Sequence, residues 1–361
     1  MIAWIEVQGL RNLEPQRVPL GELVVVTGAN AQGKSSLLEA LYMLATTRSY
    51  RTREPRDAIA YGAEFLRLAG ALPGPGREVT ELAFSLARIR GERLLSVGQC
   101  TAKLAEYLAL LPTLALSGES TRMVAGSPSE RRRLMDRATA AADPAHLADL
   151  GEYRRALAHR NQLLRSGAPG QPADAVLEPW DELVGGAGDR IARRRAQQVA
   201  AWQDDIASWP ELFPEGASAR LVYREAGHDP AGTTLAQRLA QRREQDRREG
   251  HTTIGPHRDD LRLELEGKDL FRFGSAGQVR SALVALTLAQ ARQVQRTRGG
   301  ARPLLVLDDA DTDLDPTRLT GLLEAAAREG QVVAATSKPG APVPERAARW
   351  TARSGRIEPG P

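Results

Sequence analysis

Cysteine is almost absent from these 361 residues. Cys100 stands alone, so neither an internal disulfide nor a cysteine zinc site can form. The five histidines are scattered and share no metal-ligand spacing. No stretch approaches the roughly 20 consecutive apolar residues that a membrane-spanning helix needs. The opening Met1-Ile-Ala-Trp-Ile-Glu6 alternates like a strand and lacks the basic-then-apolar layout of a secretory leader. Aromatic residues make up only 4% of the chain and do not interleave with its basic runs, which disfavours a stacking platform for single strands. No internal repeat and no sustained heptad array occurs, so a long coiled coil is excluded. These absences lead us to expect a cytoplasmic protein with no membrane partner.

Lysine is scarce as well. Lys34, Lys103, Lys268 and Lys338 are the only four, and arginine supplies the rest of the 49 basic residues behind a net charge of +4. Two explanations stand side by side: a genome whose base composition favours arginine codons, and arginines kept for a polyanionic partner. Either way, a lysine that is kept is informative. Against these deficits, 42% of the residues are hydrophobic, enough for a packed interior and a second domain.

The chain reads as three blocks. Residues 1–105 alternate apolar runs (Leu23 to Thr27, Phe65 to Leu72, Glu81 to Ile89) with Gly/Pro turns, a strand-rich pattern. Residues 106–250 are mostly helical in pattern: Ile191, Val199, Trp202 and Ile206 fall at helical spacing, and Leu235 to Glu249 follows suit. Ser166 to Pro172 reads as a loop within this block. Residues 251–361 return to α/β patterning, with a strand at Leu261 to Leu265, a helix at Val279 to Val294 and a buried strand at Pro303 to Leu307.

Val24-Val-Val-Thr-Gly28-Ala29-Asn30-Ala31-Gln32-Gly33-Lys34-Ser35-Ser36 fits the P-loop pattern between an apolar strand and a helix. Its glycines let backbone amides turn inward around phosphate oxygens, and the helix N-terminus adds a favourable dipole. Lys34 would reach the β/γ-phosphates of ATP, and Ser35 would ligate Mg²⁺. Pro303-Leu-Leu-Val-Leu-Asp308-Asp309 is the matching Walker B segment. Asp308 would face the Mg²⁺, and Asp309 sits where a water-polarising glutamate is usual. Being one methylene shorter, Asp309 implies slow hydrolysis, suited to a switch. By itself, an apolar strand ending in Asp-Asp is equally a strand leaving its sheet.

Ser275-Ala276-Gly277-Gln278, one helix ahead of that strand, is similar to the ABC signature, whose serine and amides face the γ-phosphate held by a second subunit. The same residues also read as a serine N-cap with a glycine turn. Asp311-Thr-Asp313-Leu-Asp315 occupies the D-loop position and also suits a capping loop before Pro316. Val332 to Thr336 forms a further strand that ends without a switch histidine, leaving Thr336 nearest the γ-phosphate.

Several further segments resemble the RecF family of SMC/ABC-type ATPase heads. They are Leu10-Arg11-Asn12, Thr47-Arg-Ser-Tyr-Arg-Thr52, Gly126-Ser-Pro-Ser-Glu-Arg131-Arg-Arg-Leu-Met-Asp136 and Gly255-Pro-His-Arg-Asp-Asp260. Their order and spacing match across nearly the whole chain. Alanine stands at 29 and 31 where many members carry glycine, and no Q-loop glutamine is evident; Glu119 is the best placement for that metal-side position.

The resemblance implies an α/β fold: a two-lobed ABC-type P-loop ATPase head, formed by 1–105 and 251–361, with an inserted mainly helical arm at 106–250. It implies that Arg11 and Asn12 help hold the nucleotide, and that the chain forms an ATP-dependent homodimer. Further implications are binding to duplex DNA and to junctions with single strands, and action with RecR and RecO in loading RecA during repair, replication restart and SOS induction. A transport ATPase is disfavoured by the insert and the missing switch histidine. A structural SMC protein is disfavoured by the missing coiled coil, and a linked nuclease by the lack of room for a metal domain. Arginines 131–133, 154, 155, 160 and 193–195 are candidates for phosphate contacts, with solvated faces and internal ion pairs as the alternative.

Overall fold

The computed structural model describes residues 1–73, 79–118, 127–143, 145–165, 174–213, 217–229, 232–312, 314, 316–338 and 340–360; the side chains of residues 211, 271 and 316 are outside that description. The chain divides into two compact units, Met1–Arg122 with Trp209–Gly216 and Ser275–Pro361, and Met123–Ser208 with Ala217–Gly274.

The first unit begins with β1 (Trp4–Gln8), β2 (Gln16–Pro19), β3 (Leu23–Thr27) and α1 (Lys34–Thr46). It continues through β4 (Phe65–Pro73), β5 (Val79–Ala87), β6 (Arg93–Val97), β7 (Cys100–Thr101), α2 (Leu104–Leu110) and β8 (Thr113–Leu116). An antiparallel sheet runs in the order β2-β1-β4-β5-β6-β7. Alternation along its strands buries Ile5 and Val7, Leu66 and Leu68, and Leu82, Phe84 and Leu86.

The second unit holds α3 (Pro128–Ala142), α4 (Ala145–Arg165), α5 (Asp174–Ile206), β9 (Ala219–Arg224), α6 (Leu235–Gln241), α7 (Arg243–Glu249), β10 (Asp260–Leu265), β11 (Lys268–Asp269) and α8 (Leu270–Phe273). Its core joins Leu150, Tyr153 and Ala156 of α4 to Val184, Ala187 and Ile191 of α5, with Leu235, Leu239 and Ile254 closing it. An antiparallel sheet, β11-β10-β9, belongs to the same unit. Residues 251–274, grouped by pattern with the third block, therefore pack in this unit. The alternating Leu261, Leu263 and Leu265 find their partner edge in β9, with Leu263 opposite Leu221. Conversely, residues 106–118, grouped with the arm, lie in the first unit.

Several of the candidate arginines are engaged within this unit. Arg131 pairs with Asp260 at 2.7 Å, and Arg132 donates to the Asp259 carbonyl. Arg160, fully buried, pairs with Asp181 and Asp246, Arg194 with Asp143 and Asp149, and Arg195 with Asp136 and Asp259. Arg133, Arg154, Arg155 and Arg193 are exposed. The internal-ion-pair alternative thus describes four of the nine, and Arg132 is held by a backbone carbonyl.

The chain then completes the first unit with α9 (Ala276–Thr297), β12 (Leu304–Leu307), α10 (Pro316–Glu329), β13 (Gln331–Thr336), β14 (Ala348–Arg353) and β15 (Arg356–Pro359). These build a second six-stranded sheet, β15-β14-β3-β13-β12-β8, parallel except at the β15 edge. Its central strands are continuous apolar runs, as sheets covered on both faces require. Leu37, Leu38, Leu41 and Leu44 of α1 share one core with Ile5 and Phe84 of the antiparallel sheet and with Val24, Val306 and Val333 of the parallel one. A helix buried on all sides is the consequence. No helix among the described residues is long and apolar enough to cross a membrane.

Candidate functional site

The site is built where β3 ends and α1 begins. Gly28 has φ 146° and Gly33, the residue capping α1, has φ 113°. A Cβ on Gly28 would lie 2.6 Å from the Ala352 carbonyl oxygen, so only glycine lets the loop leave β3 alongside β14. Ala31 also takes a left-handed conformation, at φ 63°, although it carries a side chain. The loop is braced from two sides. Asn12 donates to the Ala31 carbonyl at 2.8 Å and accepts from the Ser36 hydroxyl at 2.8 Å. The Gln32 side chain accepts from the Ser354 amide at 2.6 Å, and its carbonyl accepts from the Gly355 amide.

Lys34 is buried and folds back over the loop. Its ammonium donates to the carbonyls of Gly28 and Ala29 at 2.6 and 2.8 Å. The next residue, Ser35, donates to Asp308 Oδ1 at 2.9 Å across 273 positions of sequence. Asp308 ends β12, two strands from β3 in the sheet, and its other oxygen accepts from the Tyr50 hydroxyl at 3.0 Å. Burial, with the neighbouring Asp309 charge adding to it, pushes the Asp308 carboxyl above its ordinary value; the Ser35 and Tyr50 hydrogen bonds oppose that shift. A cation beside Asp308 would relieve the same penalty. Burial, seconded by the Asp308 charge, likewise pushes the Tyr50 phenol well up.

Arg11 lies beside the same helix. Its guanidinium donates to both oxygens of Glu39 (3.0 and 2.9 Å) and to the Asp57 carbonyl. Glu39, fully buried on α1, also receives Ser49 at 2.6 Å and Arg51 at 3.2 Å. Arg11 thus anchors the helix that carries Lys34 and Ser35.

Ser275 caps α9: its hydroxyl accepts from the Gln278 amide, and the Gln278 side chain accepts from the Ser275 amide at 2.9 Å. The N-cap reading holds in the folded chain, while Ser275 and Ala276 stay exposed and Gly277 half-buried. On the same helix, buried Arg280 donates to the carbonyls of Asp308 and Asp309 at 3.0 and 3.1 Å. Thr336 ends β13, buried, in register with Thr27, and its hydroxyl accepts from the Lys338 amide. Glu119, Asp313 and Asp315 lie outside the described residues.

Among curated proteins, "DNA replication and repair protein RecF" of Anaeromyxobacter sp. (strain K) is 36% identical over 334 residues, covering 88% of this chain and 87% of that protein. The RecF of Parasynechococcus marenigrum (strain WH8102) is 33% identical over 341 residues, with 91% and 92% covered. The chain belongs to the RecF family. No family model matches it. Its fold is that of the solved "recombination mediator protein RecF-ATP in RecFOR pathway", with TM-score 0.79, 24% identity and coverage of 100% and 97%. An SMC head domain from Pyrococcus furiosus aligns with TM-score 0.57 at 18% identity, so the RecF and SMC heads share this architecture. The two-lobed α/β head with an inserted, mainly helical arm is therefore the fold of this RecF family member.

Within that RecF frame, three residues at the site were not singled out from the sequence: Tyr50, Glu39 and Arg280. Tyr50 lies in a segment quoted for the family resemblance, yet nothing local signals that its hydroxyl meets a carboxylate. Arg280 follows the signature by two positions, and its targets are backbone carbonyls, which leave no residue-type pattern.

Proposed function

We propose that this chain is an ATP-dependent DNA-binding recombination mediator that acts as a switch in DNA repair and replication. The observation that carries the proposal is the meeting of Ser35 and Asp308 at the mouth of a glycine loop that Lys34 overlies. Two hard oxygen donors at 2.9 Å fit Mg²⁺, which is commonly held by one or two carboxylates plus substrate phosphates. When bound, Mg²⁺ supplies positive charge to the terminal phosphates of ATP.

The chain's own residues do the rest. The loop amides from Ala29 to Ser36 cradle phosphate, Lys34 exchanges its two loop carbonyls for phosphate oxygens, and Asn12 and Arg11 keep loop and helix in place. Asp309 orients the attacking water, with a short reach that makes turnover slow. The exposed Ser275, with the Ala276 and Gly277 amides and Gln278, caps the γ-phosphate bound by a second copy. Thr336 stands on the γ-phosphate side. The ATP-bound dimer clamps duplex DNA near single-strand gaps; hydrolysis opens it. The names of its relatives and of the RecF structures support the repair assignment; RecR- and RecO-assisted RecA loading, replication restart and SOS induction in the cytoplasm extend the proposal.

The test is the mass of the protein with and without ATP and with duplex DNA, for wild type, Lys34→Met and Ser275→Arg. Wild type dimerises with ATP, Lys34→Met shows no nucleotide-driven change, and Ser275→Arg binds ATP as a monomer. A Ser275→Arg protein that still dimerised would remove the shared-site mechanism. A wild type that neither bound duplex DNA nor gained ATPase activity from it would remove the repair reading.

A further inference from the structure

The turn that follows α1 is fixed with unusual care for a segment to which no chemistry has been given. Thr47 leaves the helix in a left-handed conformation, φ 58°, its amide bonded to the Met43 carbonyl. Ser49 then acts three ways: its hydroxyl donates to Glu39 Oε1 at 2.6 Å and accepts from the amides of Arg51 and Thr52 at 2.9 and 3.0 Å. Arg51 returns to Glu39 Oε2. Both neighbours of Tyr50 are therefore tied to one buried carboxylate on the helix that carries Ser35. The Tyr50 ring meets Tyr42 edge-on, centroids 5.5 Å apart, which fixes the ring as well.

What this clamped turn presents is one hydroxyl. It donates to Asp308 Oδ2 at 3.0 Å, while Ser35 holds Oδ1 at 2.9 Å. The Ser35 carbonyl, at 3.3 Å, is the farther and uncharged acceptor. Oδ1 also accepts from the Asp309 amide at 3.2 Å, whereas Oδ2 is held by Tyr50. The terminal torsion of an aspartate is otherwise broad and nearly two-fold, so a carboxylate held at one oxygen only is free to turn. We infer that Tyr50 is a positioning residue for the divalent cation: it holds Asp308 Oδ2 so that Oδ1 stays turned toward Ser35, and so sets the affinity of the site for metal. The inference rests on the nucleotide reading above. A cation held by Ser35 and Asp308 Oδ1 would leave Oδ2 to the Tyr50 hydroxyl. Partners of this outer kind change metal affinity by roughly 10–100-fold when removed.

The experiment compares full-length wild type, Tyr50→Phe and Ser49→Ala. Mn²⁺ binding to the nucleotide-loaded protein is followed by its paramagnetic resonance. Affinity for a fluorescent ATP analogue is measured separately in the presence of chelator. Tyr50→Phe keeps the ring and its packing, and is expected to weaken Mn²⁺ binding about tenfold while metal-free nucleotide affinity stays within about twofold. Ser49→Ala, which loosens the turn but leaves the phenol in place, gives a smaller loss of the same metal-selective kind and serves if Tyr50→Phe does not fold. Unchanged Mn²⁺ affinity in Tyr50→Phe overturns the inference, as does an equal loss with and without metal, which is the mark of a merely structural phenol. A wild type that binds no nucleotide at all overturns the nucleotide reading itself, a result told apart by the chelator arm.

Discussion

Arg280 donates to the backbone carbonyl of Asp308 at 3.0 Å, tying the helix that starts at the signature serine to the turn that carries both site carboxylates. The same nitrogen reaches the Asp309 carbonyl, and Asp309 holds φ 48°, a left-handed conformation that costs a non-glycine residue about 1–2 kcal/mol. Arg280→Leu removes a charged donor from two carbonyls at once. We expect ATP to bind with KM within about threefold and kcat to fall roughly tenfold, because a small displacement of a water-orienting group is costly to turnover. Arg280→Lys should recover only part of the loss, since its ammonium sits on a different stem and is more strongly hydrated than the guanidinium nitrogen it replaces. Equal kcat in wild type and Arg280→Leu would refute the coupling; steady-state kinetics decides.

Glu39 accepts four hydrogen bonds from three side chains, Arg11, Ser49 and Arg51, while itself fully buried. Glu39→Gln keeps the volume but replaces one acceptor oxygen by a donor that faces guanidinium. The two arginines are partly open to water, so the loss is milder than for a sealed ion pair: about 1–3 kcal/mol. Chemical denaturation measures it. ATP affinity should drop as well, because the turn at 47–52 and the start of α1 lose their common anchor.

Local patterns carried the P-loop, the Walker B strand and the signature helix, because each is a run whose meaning lies in residue type and spacing. Pairing across the chain was not legible. Tyr50 and Asp308 are 258 positions apart, and a phenol near a carboxylate leaves no trace in either local run. The alternation of Leu261, Leu263 and Leu265 announces a strand without naming the edge it joins, which is β9, about 40 positions earlier. Arginine clusters were ambiguous for the same reason. Arg195 looks like a phosphate ligand until Asp136 and Asp259 are seen around it. The pairing of Arg11 with Glu39, 28 positions away, is equally silent in the local pattern.

Acidification should weaken the second unit through His257. Its Nδ1 accepts from the Tyr153 hydroxyl at 2.6 Å, and its Nε2 donates to the Thr252 carbonyl at 3.1 Å, so the fold holds the neutral ring. Burial pushes its pKa from 6.5 to about 4, with the Arg258 and Arg132 charges acting the same way and the Thr252 bond opposing. Between those values the unfolded chain binds the proton and the folded chain does not. The stability from the neutral ring is therefore complete above about pH 6.5 and is lost progressively as pH falls toward 4. Asp259, pushed up by its burial, works against this trend. Thermal unfolding followed across that range should show a falling midpoint in wild type and a flatter profile in His257→Gln. Parallel profiles would exclude His257 as the source.

Gly28 and Ala31, two of the three positive-φ positions of the glycine loop, respond differently to substitution. Gly28→Ala puts a methyl 2.6 Å from the Ala352 carbonyl oxygen, and backbone on β14 cannot give way as a side-chain tip can. The loop must pull off the sheet edge, and nucleotide affinity should fall more than tenfold even if the rest of the unit stays folded. Ala31 is the reverse case. It already bears its methyl at φ 63°, so Ala31→Gly relieves left-handed strain of about 1–2 kcal/mol. It also frees the unfolded chain by about 0.4–1 kcal/mol. The two terms nearly cancel, and because Asn12 holds the Ala31 carbonyl through backbone alone, the brace survives the change. Ala31→Gly should leave stability within about 1 kcal/mol and nucleotide affinity within about twofold. Calorimetric titration of both variants with an ATP analogue checks the contrast, and comparable affinity in Gly28→Ala and wild type would show that the close approach to Ala352 does not control the loop.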